Sequence, residues 1–382
     1  MESTLIKKII DSPLGIPRSY FLKLTIFALI NIFLINFLFL PFITRFTSDS
    51  QSYLETAKYF AGKIADNQFI WRFLKPVVPY LVALVSPIFD FKPAFLFINS
   101  LFYLATAFVV YKIIKLMFNN DRQALVGSIF YLSAYPVLEY GIGYMTDLAG
   151  WFFFVLCVYL TLIFLKKPSY KLALAGGLVL AIGFLAKEYA TGGGVFFVIC
   201  LLFIHKDSFA NKIKYLLVYS ISFLIPFGAW QLIVYMRWYY SYFSWYNLVY
   251  HDYSGISRFY SEFFRLVLKS LAATFLAGWI FVVAGLWRIK KISAENKKIF
   301  LALILPSFLF LFWPAASSRL FFIVGLLLCL LASWGMVSWS FLMKNKYLYL
   351  GALAVVVAGN YFWFIFDDRL RFILNNILKI HY

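Results

Sequence analysis

Residues 44–92 read TRFTSDSQSYLETAKYFAGKIADNQFIWRFLKPVVPYLVALVSPIFDFK and form the longest polar-containing interval between the apolar runs of this chain. The apolar residues of its first half recur at helical spacing, at Leu54, Ala57, Ala61 and Ile64. This pattern predicts an amphipathic helix that lies on a membrane surface and does not cross the membrane. Asp49 stands at the head of this helix, which keeps one carboxylate close to the bilayer.

The composition indicates a membrane protein. The chain has 382 residues, of which 63% are hydrophobic and 13% are charged, whereas about a quarter of the residues of a soluble domain are charged. Apolar runs of about 20 residues, the length that crosses a bilayer as a helix, recur along it. A transmembrane β-barrel would instead show short segments of alternating hydrophobicity. We therefore predict an all-α polytopic membrane protein in which residues 1–382 form a single domain.

The apolar runs predict about eleven transmembrane helices, with the 44–92 connection on the outside as an amphipathic loop. Their approximate bounds are 21–43, 93–117, 122–138, 147–165, 171–187, 193–205, 213–236, 270–287, 299–313, 319–341 and 347–366. A second long connection, 237–269, is rich in Trp and Tyr, residues that favour membrane interfaces.

The positive charge follows the membrane pattern. A formal net charge of +19 could indicate nucleic-acid binding, but the basic residues flank apolar runs and form no single stripe. If the N-terminus is cytoplasmic, most of the excess Lys and Arg lies on the inside, as the positive-inside rule requires. We predict a multi-pass protein of a bacterial cytoplasmic membrane, surrounded by membrane lipids and without a nucleic-acid partner.

This topology places several polar connections on one extracytoplasmic face. They are 44–92, 139–147, 187–194 and 237–269, joined by Arg319 at the start of the tenth predicted span. Acidic residues contribute little to orientation, so their concentration on this face needs another explanation. We therefore sought functional residues there.

Two acidic residues on this face are the first candidates. Asp49 and Asp147 each precede an apolar run, so either could simply cap a helix. An acid at the bilayer edge is costly unless it is paired, hydrated or used. Together the two carboxylates could bind a divalent cation such as Mg or Mn, or one could act as a general base. Glu139 and Glu188 are further candidates for binding an acceptor or a metal.

Basic residues on the same face could bind phosphate. Lys187 ends the fifth predicted span and precedes Glu188, so it forms either a local ion pair or a phosphate contact. Arg319 lies outside the membrane, where orientation rules disfavour a cation, and its planar guanidinium suits phosphate. A side chain that snorkels to the interface is the alternative. Arg72 and Lys75 allow a similar interpretation.

Four motifs together resemble the GT-C superfamily of membrane glycosyltransferases, in particular protein O-mannosyltransferases and the aminoarabinose transferases of lipid A. They are the segment 48–53 (SDSQSY) with 75–81 (KPVVPYL), then 144–147 (YMTD), 183–188 (GFLAKE) and 318–320 (SRL). The resemblance covers residues 44–341. One departure is the single acid at Asp49, where protein mannosyltransferases carry an acid pair.

The resemblance implies a sugar transferase that works on the extracytoplasmic face. Its donor would be a polyprenyl-phosphate-linked sugar, and its acceptor the hydroxyl of a glycan, a lipid or a protein. Asp49 would be the general base of an inverting reaction, and Lys187 and Arg319 would bind the donor phosphate. Asp147 would orient the acceptor or hold a metal, since some relatives need a divalent cation and others do not.

Three other functions remain open at this point. A transporter or flippase for lipid-linked saccharides would place ionisable residues in the middle of its spans, whereas here they collect at one face. A polymerase for lipid-linked saccharides would share the donor chemistry. A non-catalytic membrane subunit is the third alternative.

Overall fold

The computed structural model describes residues 13–39, 47–252, 268, 271–309, 319 and 322–376. Within these ranges the regular structure is helical, and they contain no β-strand. The prediction of an all-α polytopic protein is therefore confirmed. The connection 237–269 is described over its first part, which ends in a helix at Asp252, and at residue 268.

Sixteen helices follow one another in these described ranges. They are α1 (Arg18–Phe33), α2 (Ser48–Phe60), α3 (Val77–Phe89), α4 (Phe91–Phe118), α5 (Asp121–Ser133), α6 (Tyr135–Tyr140), α7 (Asp147–Lys166), α8 (Tyr170–Ala186), α9 (Thr191–Ile199), α10 (Phe209–Trp238), α11 (Tyr242–Asp252), α12 (Trp279–Trp287), α13 (Ala294–Ser307), α14 (Gly325–Ser338), α15 (Ser340–Lys344) and α16 (Lys346–Asn376).

Five of the described helical segments are long and apolar enough to cross a membrane. They are Arg18–Phe37, Phe91–Phe118, Asp147–Lys166, Phe209–Trp238 and Lys346–Phe366. Shorter apolar helices lie at Val77–Phe89, Tyr170–Ala186, Glu188–Ile204, Leu271–Trp287 and Phe322–Ser338. Most of these segments coincide with predicted spans, so the protein is a multi-pass membrane protein.

The predicted span 122–138 and the predicted 44–92 connection differ from the structure. The span predicted at 122–138 is broken at Ala134 into α5 and α6, because Pro136 lacks the backbone N–H that would continue the helix. The 44–92 connection contains an additional apolar helix, α3, which begins directly after Pro76. Its 13 residues are fewer than the roughly 20 that a bilayer requires.

The amphipathic helix α2 forms, but it is shorter than predicted. It is capped by Thr47, whose hydroxyl accepts a hydrogen bond from the Ser50 backbone N–H at 3.3 Å. The helix ends at Phe60, and Gly62 then adopts a positive φ of 66°. Ala61 and Ile64 therefore do not extend its apolar face, because the chain turns away before they are reached.

The N-cap positions of α2 and α7 show whether the two acidic residues cap these helices. Thr47 caps α2, and Thr146 occupies the cap position of α7. Asp49 and Asp147 are thus inside the first turns of their helices, and neither is the N-cap. Both carboxylates remain available for contacts with distant parts of the chain.

Close packing around α7 brings the polar ends of several helices together. Helix α7 contacts α4, α8 and α9, and α2 packs on α3 and α4 through Tyr53, Leu54 and Ala57. The glycines at the start of α9 serve this packing. A Cβ on Gly193 would lie 2.3 Å from the Cβ of Cys157, and one on Gly194 would lie 2.7 Å from Leu180 Cδ2. These glycines are therefore required for close helix packing.

Candidate functional site

Seven charged side chains meet at one end of the helix bundle. They come from the start of α2, the connection before α3, the start of α7, the turn between α8 and α9, and the segment before α14: Asp49, Arg72, Lys75, Asp147, Lys187, Glu188 and Arg319. We call them the charged cluster. All seven were singled out from the sequence, and the structure brings them together.

Asp49 lies between two arginines at the mouth of the cluster. Its Oδ1 pairs with Arg72 Nη2, and its Oδ2 lies 3.2 Å from Arg319 Nη1. The Asp49 side chain is 34% exposed, against 9% for Arg72 and 29% for Arg319. Asp49 and Arg319 are thus the members that a molecule arriving from outside would meet first.

The electrostatic environment keeps Asp49 ionised. Burial by itself would raise its pKa, but the positive charges of Arg72, Lys187 and Arg319 outweigh burial and lower the pKa to about 2. At neutral pH Asp49 is therefore a carboxylate. While both arginines are bound to it, this carboxylate is a weak base.

Arg72 is held by three side chains of one helix. In addition to Asp49, its Nε donates to Ser52 Oγ at 2.8 Å and its Nη1 donates to Tyr53 Oη at 2.8 Å. The three partners are spaced i, i+3 and i+4, so they share one face of α2. The guanidinium carbon also lies 4.0 Å from the Tyr53 ring centroid. Arg72 is thus fixed to the helix that carries Asp49.

Tyr53 connects Asp49 to Asp147 within the cluster. Its fully buried hydroxyl accepts hydrogen bonds from Arg72 and, at 3.3 Å, from Lys187 Nζ. Burial would raise the Tyr53 pKa, but the charges of Arg72 and Lys187 dominate and lower it. Lys187 Nζ also lies 3.7 Å from Asp147 Oδ2. The chain of contacts therefore runs from Asp49 through Tyr53 to Asp147.

Asp147 is fully buried, and its neighbours fix it in place. The Tyr189 hydroxyl donates to Asp147 Oδ1 at 2.7 Å, while Lys187 faces the other oxygen. Lys187 can approach because Gly150 follows one turn later in α7, where a Cβ would lie 2.6 Å from Lys187 Cβ. Asp147 therefore contacts Lys187 and Tyr189 and is shielded from solvent.

A separate pair of charges lies beside this chain. Lys75 pairs with Glu188, and its ammonium lies 4.0 Å from the Trp245 ring centroid. Burial lowers the pKa of Lys75, although the Glu188 charge acts in the opposite direction. Lys75 is thus buried against a carboxylate and an indole.

Contacts outside the cluster hold its two acid-bearing segments together. Asn99 of α4 is fully buried and donates to the Met145 carbonyl at 2.9 Å. The Met145 sulfur in turn lies 3.6 Å from Ser50 Oγ in the first turn of α2. The turn that leads to Asp147 is thus anchored both to α4 and to the helix of Asp49.

The charge balance of the cluster favours an anion. It contains four cations, Arg72, Lys75, Lys187 and Arg319, and three carboxylates, so its formal net charge is +1. The cations stand in a largely dry setting, where charges interact more strongly than in water. A phosphate group suits such a site.

The residues do not suit a divalent cation. Both oxygens of Asp49 face arginines, and those of Asp147 face Tyr189 and Lys187. Within the described residues no group of three or more His, Cys, Asp or Glu side chains could hold a metal ion. A metal at Asp49 and Asp147 would therefore meet neighbouring positive charges.

One predicted site residue is not linked to the charged cluster by these contacts, and some residues that contact the cluster were not predicted. Glu139 lies on α6 and is not among the side chains joined by the contacts described above. Ser52 and Tyr53 could have been found from the sequence, because they follow Asp49 at helical spacing. Tyr189 and Trp245 carry no such signal.

Comparison with known proteins indicates a related family. A family model described as dolichyl-phosphate-mannose-protein mannosyltransferase matches residues 75–230. The predicted resemblance to the GT-C superfamily is confirmed. The match supports a membrane glycosyltransferase of the GT-C type, and it includes Asp147 and Lys187 but ends before Arg319 and begins after Asp49.

The fold of a solved oligosaccharyltransferase is similar. The crystal structure of the Archaeoglobus fulgidus oligosaccharyltransferase in complex with Zn and sulfate aligns with a TM-score of 0.51 at 13% identity. The alignment covers 91% of this chain and 52% of that one, so the chain spans about half the length of that enzyme. At this identity the similarity concerns the fold alone. No curated protein sequence matches the chain significantly.

Proposed function

We propose that this protein transfers a sugar from a polyprenyl-phosphate donor to an acceptor hydroxyl at the extracytoplasmic face of a bacterial cytoplasmic membrane. The observation that carries the proposal is the position of Asp49 between Arg72 and Arg319, two arginines that are far apart in the chain. A carboxylate beside an excess of positive charge combines a base for the hydroxyl with a binding site for the phosphate.

Arg319 and Lys187 bind the donor phosphate in this proposal. Arg319 is partly exposed and is tied to Asp49 by one ion pair, so it can turn to an incoming phosphate. Lys187 lies behind it, held by Asp147 and Tyr53. Positive charges fixed in a dry site stabilise the charge that develops on the leaving phosphate, which is often the largest catalytic effect.

Asp49 acts as the general base. The acceptor oxygen attacks C1 of the sugar, its proton passes to Asp49, and the C1–O bond to the phosphate breaks with its electron pair on the phosphate oxygen. A single displacement inverts the configuration at C1. Base catalysis of this kind contributes on the order of 10²–10⁴-fold. When a phosphate draws Arg319 away, Asp49 loses one of the charges that lower its pKa to about 2 and becomes a stronger base.

Arg72 and Lys75 have supporting roles. Arg72 uses three of its donors on Asp49, Ser52 and Tyr53, so it orients the base and does not bind the phosphate directly. Lys75 is engaged by Glu188 and Trp245. Asp147 positions Lys187, and because its oxygens already face Lys187 and Tyr189, no step is assigned to a metal.

The lipid part of the donor contributes most of its affinity. Each CH₂ group that moves into an apolar environment adds about 0.8 kcal/mol, and exposed apolar side chains such as Leu224, Ile225 and Leu232 on α10 give the bundle a lipid-facing surface. A polyprenyl phosphate therefore remains in the bilayer while its head group reaches the cluster.

The test replaces Asp49 with Asn in protein reconstituted into nanodiscs. Asp66→Asn is the matched control, because Asp66 is an exposed acid of the same connection. We expect transfer from a panel of polyprenyl-phosphate sugars to fall at least 10²-fold in Asp49→Asn and to stay unchanged in the control. Full transfer by Asp49→Asn would remove Asp49 from the mechanism, and failure of the wild type to consume any donor would remove the proposed reaction.

A further inference from the structure

A cleft lies on the side of α2 that faces away from the charged cluster. Its volume is about 600 Å³ and it is open to solvent, within the range of about 300–1,000 Å³ that is typical of ligand sites. Its walls are formed by α2, by the residue between α3 and α4, and by the first residues of α4: Gln51, Leu54, Glu55, Lys58, Asp90, Phe91 and Lys92. None of these side chains belongs to the charged cluster.

Helix geometry relates this cleft to Asp49. With 3.6 residues per turn, Gln51, Glu55 and Lys58 project from the face of α2 opposite to Asp49. Asp49 and Gln51 nevertheless share the first turn of the helix. The cleft and the Asp49 carboxylate are therefore separated by about the diameter of one helix, about 10–12 Å.

The charges of the cleft cancel. Glu55 and Asp90 supply two carboxylates, and Lys58 and Lys92 supply two ammonium groups. The charged cluster, in contrast, has a net positive charge. A cleft that is neutral overall and rich in hydrogen-bonding groups favours a neutral polar ligand over a phosphate or an acidic peptide.

Two further features suit a saccharide. The Gln51 amide donates to Glu55 Oε1 at 2.9 Å, which fixes two planar polar groups on one wall. On the other wall Asp90 has a positive φ of 59°, and its carboxylate accepts the Phe91 backbone N–H at 2.7 Å. Residues in such rarely populated backbone conformations are concentrated at ligand sites. Phe91 adds an aromatic side chain against which the apolar face of a sugar ring can pack.

We propose that this cleft binds the saccharide part of the acceptor, at some distance from the hydroxyl that reacts at Asp49. The inference rests on the proposed sugar transfer and identifies its acceptor as a glycan. Contacts with a remote part of the acceptor would position the reacting hydroxyl, because binding energy far from the reaction centre contributes to orientation there.

The experiment measures binding of neutral oligosaccharides of graded length to protein in nanodiscs, by saturation-transfer NMR and without any donor. We expect wild-type protein to bind the longer members of the panel. Gln51→Ala and Glu55→Gln should each weaken this binding about threefold to tenfold. The first removes hydrogen bonds to the ligand, and the second replaces a charged acceptor with a neutral amide that accepts more weakly. Glu295→Gln, a matched change in the first turn of α13, should leave binding unchanged.

Competing ligands and a second readout make the outcome decisive. An acidic peptide and phosphatidylglycerol vesicles serve as alternative occupants, and stronger binding of either one at the cleft would overturn the inference. So would equal saccharide binding by wild type, Gln51→Ala and Glu55→Gln, or no binding by the wild type. Polyprenyl-phosphate binding to the same samples shows that the variants are folded. Wild-type protein that neither binds polyprenyl phosphate nor consumes a polyprenyl-phosphate sugar would instead refute the proposed function.

Discussion

Replacing Arg72 with Lys separates orientation of the base from binding of the donor. Arg72 contacts Asp49, Ser52 and Tyr53 through three different nitrogen atoms, whereas a lysine side chain has a single nitrogen and can satisfy at most one or two of these contacts. The positive charge is preserved, so the substitution tests geometry and leaves the net charge of the cluster unchanged.

The expected magnitude follows from the lost contacts. Losing two hydrogen bonds to a charged group, at about 1.5–3 kcal/mol each, lowers the free energy of unfolding by about 3 kcal/mol or more. With its orienting partner gone, the Asp49 carboxylate no longer holds one position. A displacement of about 1 Å at a catalytic group costs about 10²-fold in rate. We therefore expect kcat to fall about 10²-fold in Arg72→Lys.

The assay compares two quantities in nanodiscs. Affinity for polyprenyl phosphate, measured by ³¹P NMR titration, should change less than about threefold in Arg72→Lys, since phosphate is bound by other residues. Arg319→Ala should behave in the opposite way and lose most of its affinity for the phosphate. If Arg72→Lys weakened polyprenyl-phosphate binding as strongly as Arg319→Ala while kcat at saturating donor stayed normal, Arg72 would be a phosphate ligand and the orienting role would be wrong.

Three other predictions concern the same cluster. Tyr53→Phe removes the oxygen that accepts hydrogen bonds from Arg72 and Lys187. Sugar transfer and the melting temperature should both fall, with a loss of about 1–3 kcal/mol in the free energy of unfolding. The control Tyr103→Phe, which loses a buried hydrogen bond outside the site, should affect stability only. The lowered pKa of Asp49, about 2, stabilises the folded state above its unfolded pKa, and this stabilisation is lost as the pH falls from about 4 to about 2. Melting curves across that range should therefore show a steeper loss for wild type than for Asp49→Asn. Chelation with EDTA should leave transfer within about twofold of the untreated enzyme, because the donor set does not suit a metal; a loss that Mn²⁺ restores would contradict this.

Many residues of the site could be predicted from the sequence, but the ion-pair partner of each charged residue could not. Charge and hydropathy placed Asp49, Asp147, Lys187 and Arg319 on one face, and the structure brings these four together. Their pairing was not anticipated. The sequence allowed Asp49 to be a helix cap, a metal ligand or a general base, and in the structure its carboxylate pairs with two arginines.

The sequence also did not determine where every helix begins and ends. Periodicity extended α2 to Ile64, whereas the helix ends at Phe60, because periodicity does not register the turn at Gly62. The apolar residues 77–89 read as part of a connection, yet they form a helix that packs against α2 and α4. Tertiary contacts with neighbouring helices stabilise an element that is too short to be recognised by its length alone.

The sequence by itself determined that this is a helical membrane protein, and it predicted that most of the acidic residues lie on one face. Hydropathy and the distribution of Lys and Arg act locally, since each run of side chains must match the bilayer or the water that surrounds it. Only the tertiary structure decided which charges meet. Arg319 reaches Asp49 across 270 positions of the chain, and Tyr53 joins Arg72 to Lys187. Such pairs depend on how helices pack, because a buried charge is stable only where packing delivers a partner to it.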